Sequence, residues 1–281
     1  MAPDEVKKAY AGMCQKGIDF VMVKFRPLMG DVPNLREKKN LVLLVHAAEF
    51  NAFADYQKKQ ILLPLMWCIQ TTYAIEAAMQ MHLQPALRDQ VKAYLEYLNE
   101  RQREAAKDGF EDLIPLRSFN DFAQVPSPNI KPEEERSLLR AKEDMLIDAI
   151  AFVLGHEIGH LALKHSASSA LPPEQSRDQE NSADLYGATL LKKAGFSILP
   201  GAVMLQRFLQ NEAILKGISP SLRTHPRAEC RYERILSNTG ELDELLQNPK
   251  RRKEFETGST YTVPQYRSLM RELRKDCRKN P

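Results

Sequence analysis

Apolar residues recur at helical spacing along most of the chain. Within residues 4–24 the pattern has roughly helical spacing, at Val6, Tyr10, Met13, Gly17, Phe20 and Val21, and Pro27 and Pro33 follow it. This spacing predicts an opening helix that ends before the prolines. Similar spacing predicts further helices over residues 65–82, from Pro85 onward, 134–165 with a break near its start, 174–193, 199–215, 225–236 and 263–277.

A different pattern occupies residues 41–64. Residues 41–45 are apolar and β-prone, the stretch FNAFADY continues in an extended pattern, and KKQILLP follows a polar break. These stretches predict two or three short strands that form a small antiparallel sheet. With the helices, they predict an α+β fold with a mostly helical body, organised as a single domain over residues 1–281.

Residues 85–135 form a helical and loop insertion in this prediction. Between residues 108 and 135, four prolines interrupt apolar residues such as Leu113, Phe119 and Phe122. Long irregular segments of this kind are typical of functional loops. The segment is therefore predicted to be a lid that covers a cleft.

Composition and charge narrow the classes of function. The hydrophobic content of 43% suits a globular protein with a substantial core, and the net charge of +3 gives no general basis for nucleic-acid binding. Residues 249–281 carry ten Lys and Arg against four Asp and Glu. We interpret this basic C-terminal tail as a solvated helix, and contact with an anionic partner or a membrane surface is the alternative.

The four cysteines, Cys14, Cys68, Cys230 and Cys277, form no CxxC pair and are predicted to be buried free thiols. The longest apolar runs are shorter than the roughly 20 residues of a membrane-spanning helix. The first residues include acids and lack the apolar core of a signal peptide. We therefore expect a soluble cytoplasmic protein, or a periplasmic one if a leader has been removed.

The candidate chemistry lies in VLGHEIGHLALKH, residues 153–165, which holds three of the six histidines. His156 and His160 are four residues apart on a predicted helix, so their side chains share one face. Glu157 projects beside them and could take a proton from a zinc-bound water, whose pKa falls to about 7. This HExxH pattern predicts a zinc site. A pair of buried or solvated histidines is the alternative.

A third ligand is available in QENSADLYGATLL. Glu180 and Asp184 are also four residues apart on a predicted helix. Glu180 could bind the zinc, while Asp184 accepts the spare N–H of a ligating histidine. Taken alone, two solvated carboxylates are the simpler interpretation. The position of Glu180, 20 residues after His160, favours the zinc site.

Four blocks of the chain resemble the gluzincin zinc metallopeptidases, which include the CAAX prenyl protease, the stress-induced membrane proteases of bacteria and the small soluble minigluzincins. The blocks are EFNAFADYQKKQILLP, LGHEIGHLALKH, ENSADLYGATLLKKAGF and RTHPRAECR. In this order, they are similar to four features of the family: the edge strand, the active helix with its glycine (Gly159) and a later histidine (His165), the third-ligand helix, and a late His-Pro block. They cover about a quarter of the chain, in the order of the family.

The resemblance implies a minigluzincin-like zincin fold and a role for each matching residue. Glu157 would be the general base and later the proton donor, and Asp184 would orient a ligating histidine. The zinc ligands would be His156, His160 and Glu180, while Asn51, on the edge strand, and His225 would help to hold the oxyanion beside a buried Arg231. No transmembrane helix flanks the motif, so the membrane-embedded prenyl-protein chemistry is not expected.

The sequence therefore predicts a zinc metalloendopeptidase with one Zn²⁺ ion per chain, which hydrolyses peptide bonds in extended or unfolded protein segments. Its partner would be a peptide or unfolded protein, and no nucleic acid is expected. Two alternatives remain open. One is a latent single-target protease of a phage-exclusion or defence system, with the 108–135 loop in the cleft. The other is a non-catalytic, zinc-stabilised partner-binding protein, in which a fourth protein ligand closes the metal site.

Overall fold

The structure is a computed structural model. It describes residues 3–47, 52–107, 116–126, 130–166, 171–198 and 228–240, together with positions 244, 247–249, 268, 271–272, 274–275 and 277. Eight α-helices have defined bounds within the described residues: α1 Pro3–Phe25, α2 Pro33–Arg36, α3 Leu65–Leu83, α4 Arg88–Lys107, α5 Phe119–Ala123, α6 Pro132–Ala162, α7 Pro173–Ala194 and α8 Ala228–Thr239. With one three-stranded sheet, they confirm the predicted α+β class.

Helix α6 is continuous, so the break predicted near its start is wrong. Pro132 occupies the first turn, and the Glu134 side chain accepts a hydrogen bond from the backbone N–H of Lys131, which precedes the helix. Proline is favoured in a first turn, and such a cap satisfies a backbone donor there. The helix ends at Ala162, so His165 lies beyond it.

Helices α1, α3 and α7 lie within a few residues of their predicted bounds. The predicted helix at residues 199–215 lies outside the described residues. Helix α8 begins at Ala228, within the predicted 225–236 helix. The described positions of the predicted 263–277 helix are helical.

The sheet is mixed, which corrects the prediction of an antiparallel one. Its order is β1 (Val42–Val45), β3 (Gln60–Pro64), β2 (Phe53–Asp55), so β2 is an edge strand. β2 runs antiparallel to β3, but β1 runs parallel to β3. A parallel pair needs a long connection, and the segment that carries β2 supplies it.

Helix α6 lies at the centre of the main core, packed among α1, α3, α7 and the sheet. Its length and composition would allow it to cross a membrane, but 72% of its most apolar window is buried inside the protein. Burial on several sides is typical of a central core helix.

Glycines bring the backbones of α6 and α7 into direct contact. A Cβ added at Gly187 would lie 2.7 Å from the Gly155 carbonyl carbon and 2.7 Å from the His156 nitrogen. One added at Gly159 would lie 2.8 Å from the Ala183 carbonyl oxygen. No L side chain fits at such distances without displacing a backbone. This contact sets α7 directly against the histidines of α6.

Gly187→Ala is therefore expected to lower the free energy of unfolding by about 1–3 kcal/mol, the usual range for overpacking. The matched control is Gly12→Ala on an exposed face of α1, where an added Cβ meets nothing within 4 Å. Alanine should raise stability there by up to about 1 kcal/mol, because glycine is the poorer helix former. Urea unfolding of both variants measures the difference. Equal stability would contradict the close approach of α6 and α7.

Residues 116–126 of the predicted lid pack against α3 and α4, and residues 132–135 form the first turn of α6. Phe119 and Phe122 join Tyr94 and Leu98 of α4 in a second hydrophobic cluster. The Tyr94 hydroxyl donates to the carbonyl of Arg117 at 2.7 Å. Phe119 is therefore buried without covering a cleft, and Phe122 is partly buried in the same cluster. The lid stays a prediction. Residues 108–115 and 127–129 lie outside the described residues.

The prediction of free thiols is also wrong, because all four cysteines are paired. Cys14 of α1 is bonded to Cys68 of α3, and Cys230 of α8 to Cys277 of the tail. The Cα atoms of the two pairs are 6.2 and 5.5 Å apart, although 54 and 47 residues separate them in sequence. Both Cα distances suit a disulfide.

Candidate metal centre

Three side chains that could bind a metal converge where α6 meets α7. The ligand atoms of His156, His160 and Glu180 all lie within 4.8 Å of one another. The two Nε2 atoms are 3.1 Å apart, and the Glu180 oxygens lie 3.5 Å from Nε2 of His156 and 3.3 Å from Nε2 of His160. His160 and Glu180 are each only 6% exposed.

A carboxylate on the side away from Glu180 determines that Nδ1 of His156 carries a proton. Its Nδ1 lies 2.9 Å from Asp184 Oδ1. An ionised carboxylate can only accept a hydrogen bond, so Nδ1 carries a proton, and Nε2, which faces Glu180, is the nitrogen left to bind a metal. Burial lowers the pKa of His156, but the hydrogen bond and charge of Asp184 outweigh burial and raise the pKa overall.

His160 is oriented in the same way: its Nε2 faces Glu180, and its Nδ1 points away from Glu180. Two groups lie near Nδ1: Nδ1 of His165 at 3.0 Å and the Tyr56 hydroxyl at 3.4 Å. Burial lowers the pKa of His160. Burial, followed by the neighbouring His160, also lowers the pKa of His165 to about 4. Both rings are therefore neutral near pH 7.

The arrangement fits zinc. Ligand atoms at about 2.0–2.2 Å from a tetrahedral zinc ion lie about 3.3–3.6 Å from one another. The two histidine nitrogens are 3.1 Å apart, and each lies close to one oxygen of Glu180, His156 at 3.5 Å from Oε2 and His160 at 3.3 Å from Oε1, so these separations are near this range. Two imidazole nitrogens and one carboxylate are also a common ligand set of catalytic zinc. His156, His160 and Glu180 could therefore hold the metal.

A buried ion pair supports the carboxylates of α7. Arg231 of α8 donates through Nε to Asp184 Oδ2 at 2.7 Å and through Nη2 to Oδ1 at 2.8 Å. Nη2 also lies 3.5 Å from Glu180 Oε2. Burial raises the pKa of Asp184, but the charge and hydrogen bonds of Arg231 outweigh it and lower the pKa to about 2. Asp184 is therefore ionised at neutral pH.

Glu157 lies between the metal-binding group and the edge strand. Burial raises its pKa to about 7, while the charge of His156 acts to lower it. A backbone hydrogen bond from Ala54 of β2 also lowers it. The Ile61 N–H donates to Leu41 O at 2.7 Å, on the side of β3 away from β2. Ala54, which faces Ile61, therefore directs its backbone groups to the open edge.

Two predicted residues, Asn51 and His225, lie outside the described residues, and their role in holding an oxyanion stays a prediction. The sequence analysis missed two others. Tyr56 and Ser182 contact the histidines, at 3.4 Å from His160 and 3.2 Å from His165. Burial, then the charges of Glu157 and Glu180, raise the pKa of Tyr56 to about 12. The only signal was that both residues fall inside the quoted motif blocks.

A family model described as Peptidase U49 matches residues 58–244, about two thirds of the chain. The matched range contains the metal-binding group, Glu157, Asp184 and Arg231. Searches of curated proteins and of solved structures found no match. The family match supports a peptidase, whereas the finer resemblance to gluzincins and the CAAX protease stays a prediction.

Proposed function

The chain belongs to the Peptidase U49 family, and we propose that it is a zinc metalloendopeptidase that hydrolyses peptide bonds in extended or unfolded protein segments. The convergence of His156, His160 and Glu180, with the carboxyl of Glu157 beside them, carries the proposal. The peptidase activity and the metal site are supported by separate observations. The family indicates hydrolysis of peptide bonds, and the donor set indicates the metal.

The residues of the chain divide the chemistry between them. Zinc held by His156, His160 and Glu180 would supply a Lewis acid that acidifies a water molecule and polarises the substrate carbonyl. Glu157 takes the proton of the attacking water and returns it to the leaving amine. A pKa of about 7 suits this work, because a general base is most effective when its pKa is near the working pH.

An extended substrate follows from the position of Glu157 beside the edge of the sheet. Ala54 directs its backbone groups outward, and one of them already reaches Glu157. A peptide that adds a strand along β2 would place its backbone next to this carboxyl. A helical or tightly folded target would first have to open locally, which costs free energy. Termini, flexible loops and unfolded chains are therefore the preferred substrates.

Neither alternative is favoured by an observation. A structural zinc site usually has four protein ligands. In the part of the chain that the structure describes, the metal-binding group has three members. For a latent protease, we would expect residues 108–135 in the cleft. Residues 116–126 of that segment, including Phe119, pack on α3 and α4 instead.

The test is metal analysis of the purified protein. We expect about one zinc per chain, and loss of most of it in His156→Ala and in Glu180→Ala, because each variant removes one of three ligands. The matched controls are His46→Ala and Glu174→Ala, both at exposed positions outside the site. The controls should keep their zinc. Full zinc content in both ligand variants would contradict the proposed site.

A further inference from the structure

His165 lies behind the metal-binding group, and nothing in the proposed mechanism uses it. It follows the end of α6 and is brought back over the helix by its backbone. The His165 N–H donates to the His160 carbonyl at 3.0 Å, and the Lys164 N–H to the Leu161 carbonyl at 3.3 Å. Lys164 has a positive φ of 56°. This is the Schellman pattern of helix ends, which pairs the second residue after the cap with the third from the helix end.

The pattern sets the two imidazole rings against each other. The ring centroids of His160 and His165 are 5.0 Å apart, and the planes are nearly perpendicular at 80°. The two Nδ1 atoms are 3.0 Å apart, which is a hydrogen-bond distance. One of them therefore carries the proton and the other accepts it.

Ser182 of α7 decides which nitrogen is the donor. Its hydroxyl lies 2.8 Å from the Asp178 carbonyl and 3.0 Å from the Gln179 carbonyl. Carbonyls only accept, so the hydroxyl proton is used there, and the Ser182 oxygen is left to accept from His165 Nε2 at 3.2 Å. His165 Nε2 thus carries the proton of the neutral ring. Its Nδ1 is the acceptor for His160.

We propose that His165 is a positioning residue of the zinc site: it accepts the Nδ1–H of His160, and Ser182 fixes the His165 ring that does so. The inference rests on the proposed function in one respect, that His160 is a zinc ligand. With His165 in this role, each ligating histidine has its own hydrogen-bond acceptor on the side away from the metal. Asp184 serves His156 as an anionic acceptor, and His165 serves His160 as a neutral one.

Tyr56 is the competing acceptor. Its hydroxyl is 3.4 Å from the same Nδ1, 0.4 Å farther than the His165 nitrogen at 3.0 Å. A phenol oxygen also accepts hydrogen bonds, so distance alone separates the two candidates. Comparing matched variants of Tyr56 and His165 tests which of them accepts the hydrogen bond.

The experiment measures zinc affinity of the full chain by competition with a chromophoric chelator. His165→Phe keeps a ring but removes the acceptor, and should weaken zinc binding about 10- to 100-fold, as loss of a ligand's hydrogen-bond partner usually does. His165→Asn carries an amide oxygen near the position of Nδ1 and should recover most of this loss. Tyr56→Phe should have a smaller effect than His165→Phe.

Ser182→Ala provides a second route if His165→Phe does not fold. It should weaken zinc binding several-fold, because the His165 ring loses the partner that fixes it. The control is Thr189→Ala on the same helix, where the hydroxyl makes the same kind of bond to the carbonyl four residues earlier, at 2.8 Å, but is exposed. Thr189→Ala should bind zinc as the unmodified protein does.

Three results would overturn the inference. The first is an unchanged zinc affinity in His165→Phe or, where that variant does not fold, in Ser182→Ala. The others are equal losses of zinc affinity in the Phe and Asn variants of His165, or a larger loss in Tyr56→Phe than in His165→Phe. Failure of the proposed function looks different. The unmodified chain would then bind no zinc, or would bind it as well after His156→Ala. Zinc binding that is lost in His156→Ala but unaffected by changes at His165 and Ser182 would reject the positioning role alone.

Discussion

Glu157→Gln is expected to lower the rate of peptide hydrolysis by about 10²- to 10⁴-fold, the usual contribution of a general acid–base group. The amide has nearly the same shape as the carboxyl but cannot take a proton from water. His156, His160 and Glu180 are unchanged in the variant, so its zinc content should equal that of the unmodified protein.

The fold should also survive this change. Burial raises the pKa of Glu157 to about 7, from a usual 4.5, in the metal-free protein. The folded state therefore holds this proton more tightly than the unfolded state, and the contribution of Glu157 to stability falls as pH rises from about 4.5 to 7. A neutral glutamine has no such penalty. The metal-free variant should be at least as stable as the unmodified protein at pH 7.

The assay uses one disulfide-bonded protein as substrate, in its native form and in its reduced, unfolded form. The unmodified chain should cleave the unfolded form faster, because it offers extended segments. The matched control is Glu143→Gln, an exposed acid on the same helix, which should keep full activity. Near-normal cleavage by Glu157→Gln would show that another group is the base. Equal rates on both substrate forms would reject selection of extended segments.

The parts of the fold that depend on neighbours in sequence were predictable. The spacing of apolar residues predicted α1, α3 and α7 to within a few residues, because one buried face determines a helix. The two pairs spaced four apart, His156 with His160 and Glu180 with Asp184, also depend only on helix geometry. The hypothesis of a shared metal site, which needs a third ligand beside the histidines, added the expectation that these two helices face each other.

The parts that depend on contacts between distant segments were not predictable. The parallel pairing of β1 with β3 places Val42 opposite Ile61, and nothing in either strand specifies that direction. The bond between Cys14 and Cys68 requires α1 to lie beside α3. The apolar side chain of Phe119 indicated burial but not the surface that buries it. In each case the missing information is the tertiary partner.

The contact between His165 and His160 is an intermediate case. The histidine was visible in the motif, and its role depends on a left-handed residue at Lys164. Lysine is not a residue that signals this conformation, which glycine and asparagine favour. A glycine at that position would have indicated the Schellman turn from the sequence. The sequence therefore showed the histidine, but the lysine at position 164 gave no indication of the turn that brings His165 to His160.

Arg231→Met is expected to lower the free energy of unfolding by about 3–5 kcal/mol, because it leaves the carboxylate of Asp184 buried without its cation. Arg231 and Asp184 are 4% and 2% exposed, and two hydrogen bonds join them. The nearby Glu180 would also lose a neighbouring positive charge. The experiment is urea unfolding of the metal-free protein, so that zinc binding does not contribute to the difference.

Two further variants separate the charge effect from loss of packing. Arg36→Met breaks the ion pair with Glu37, in which the two side chains are 42% and 71% exposed, and should cost at most about 1 kcal/mol. The double variant Arg231→Met with Asp184→Leu removes both buried charges. It should recover much of the stability, because an apolar pair can replace a buried ion pair at little cost. It should nevertheless bind zinc weakly, since His156 loses the acceptor of its Nδ1 proton. If Arg231→Met costs no more than Arg36→Met, the buried ion pair does not hold α7 and α8 together. If the double variant is no more stable than Arg231→Met, the loss comes from the arginine's packing and not from an unpaired Asp184. The expected combination, a recovered fold with weakened zinc binding, would show that the ion pair is kept for the orientation of His156 and not for stability.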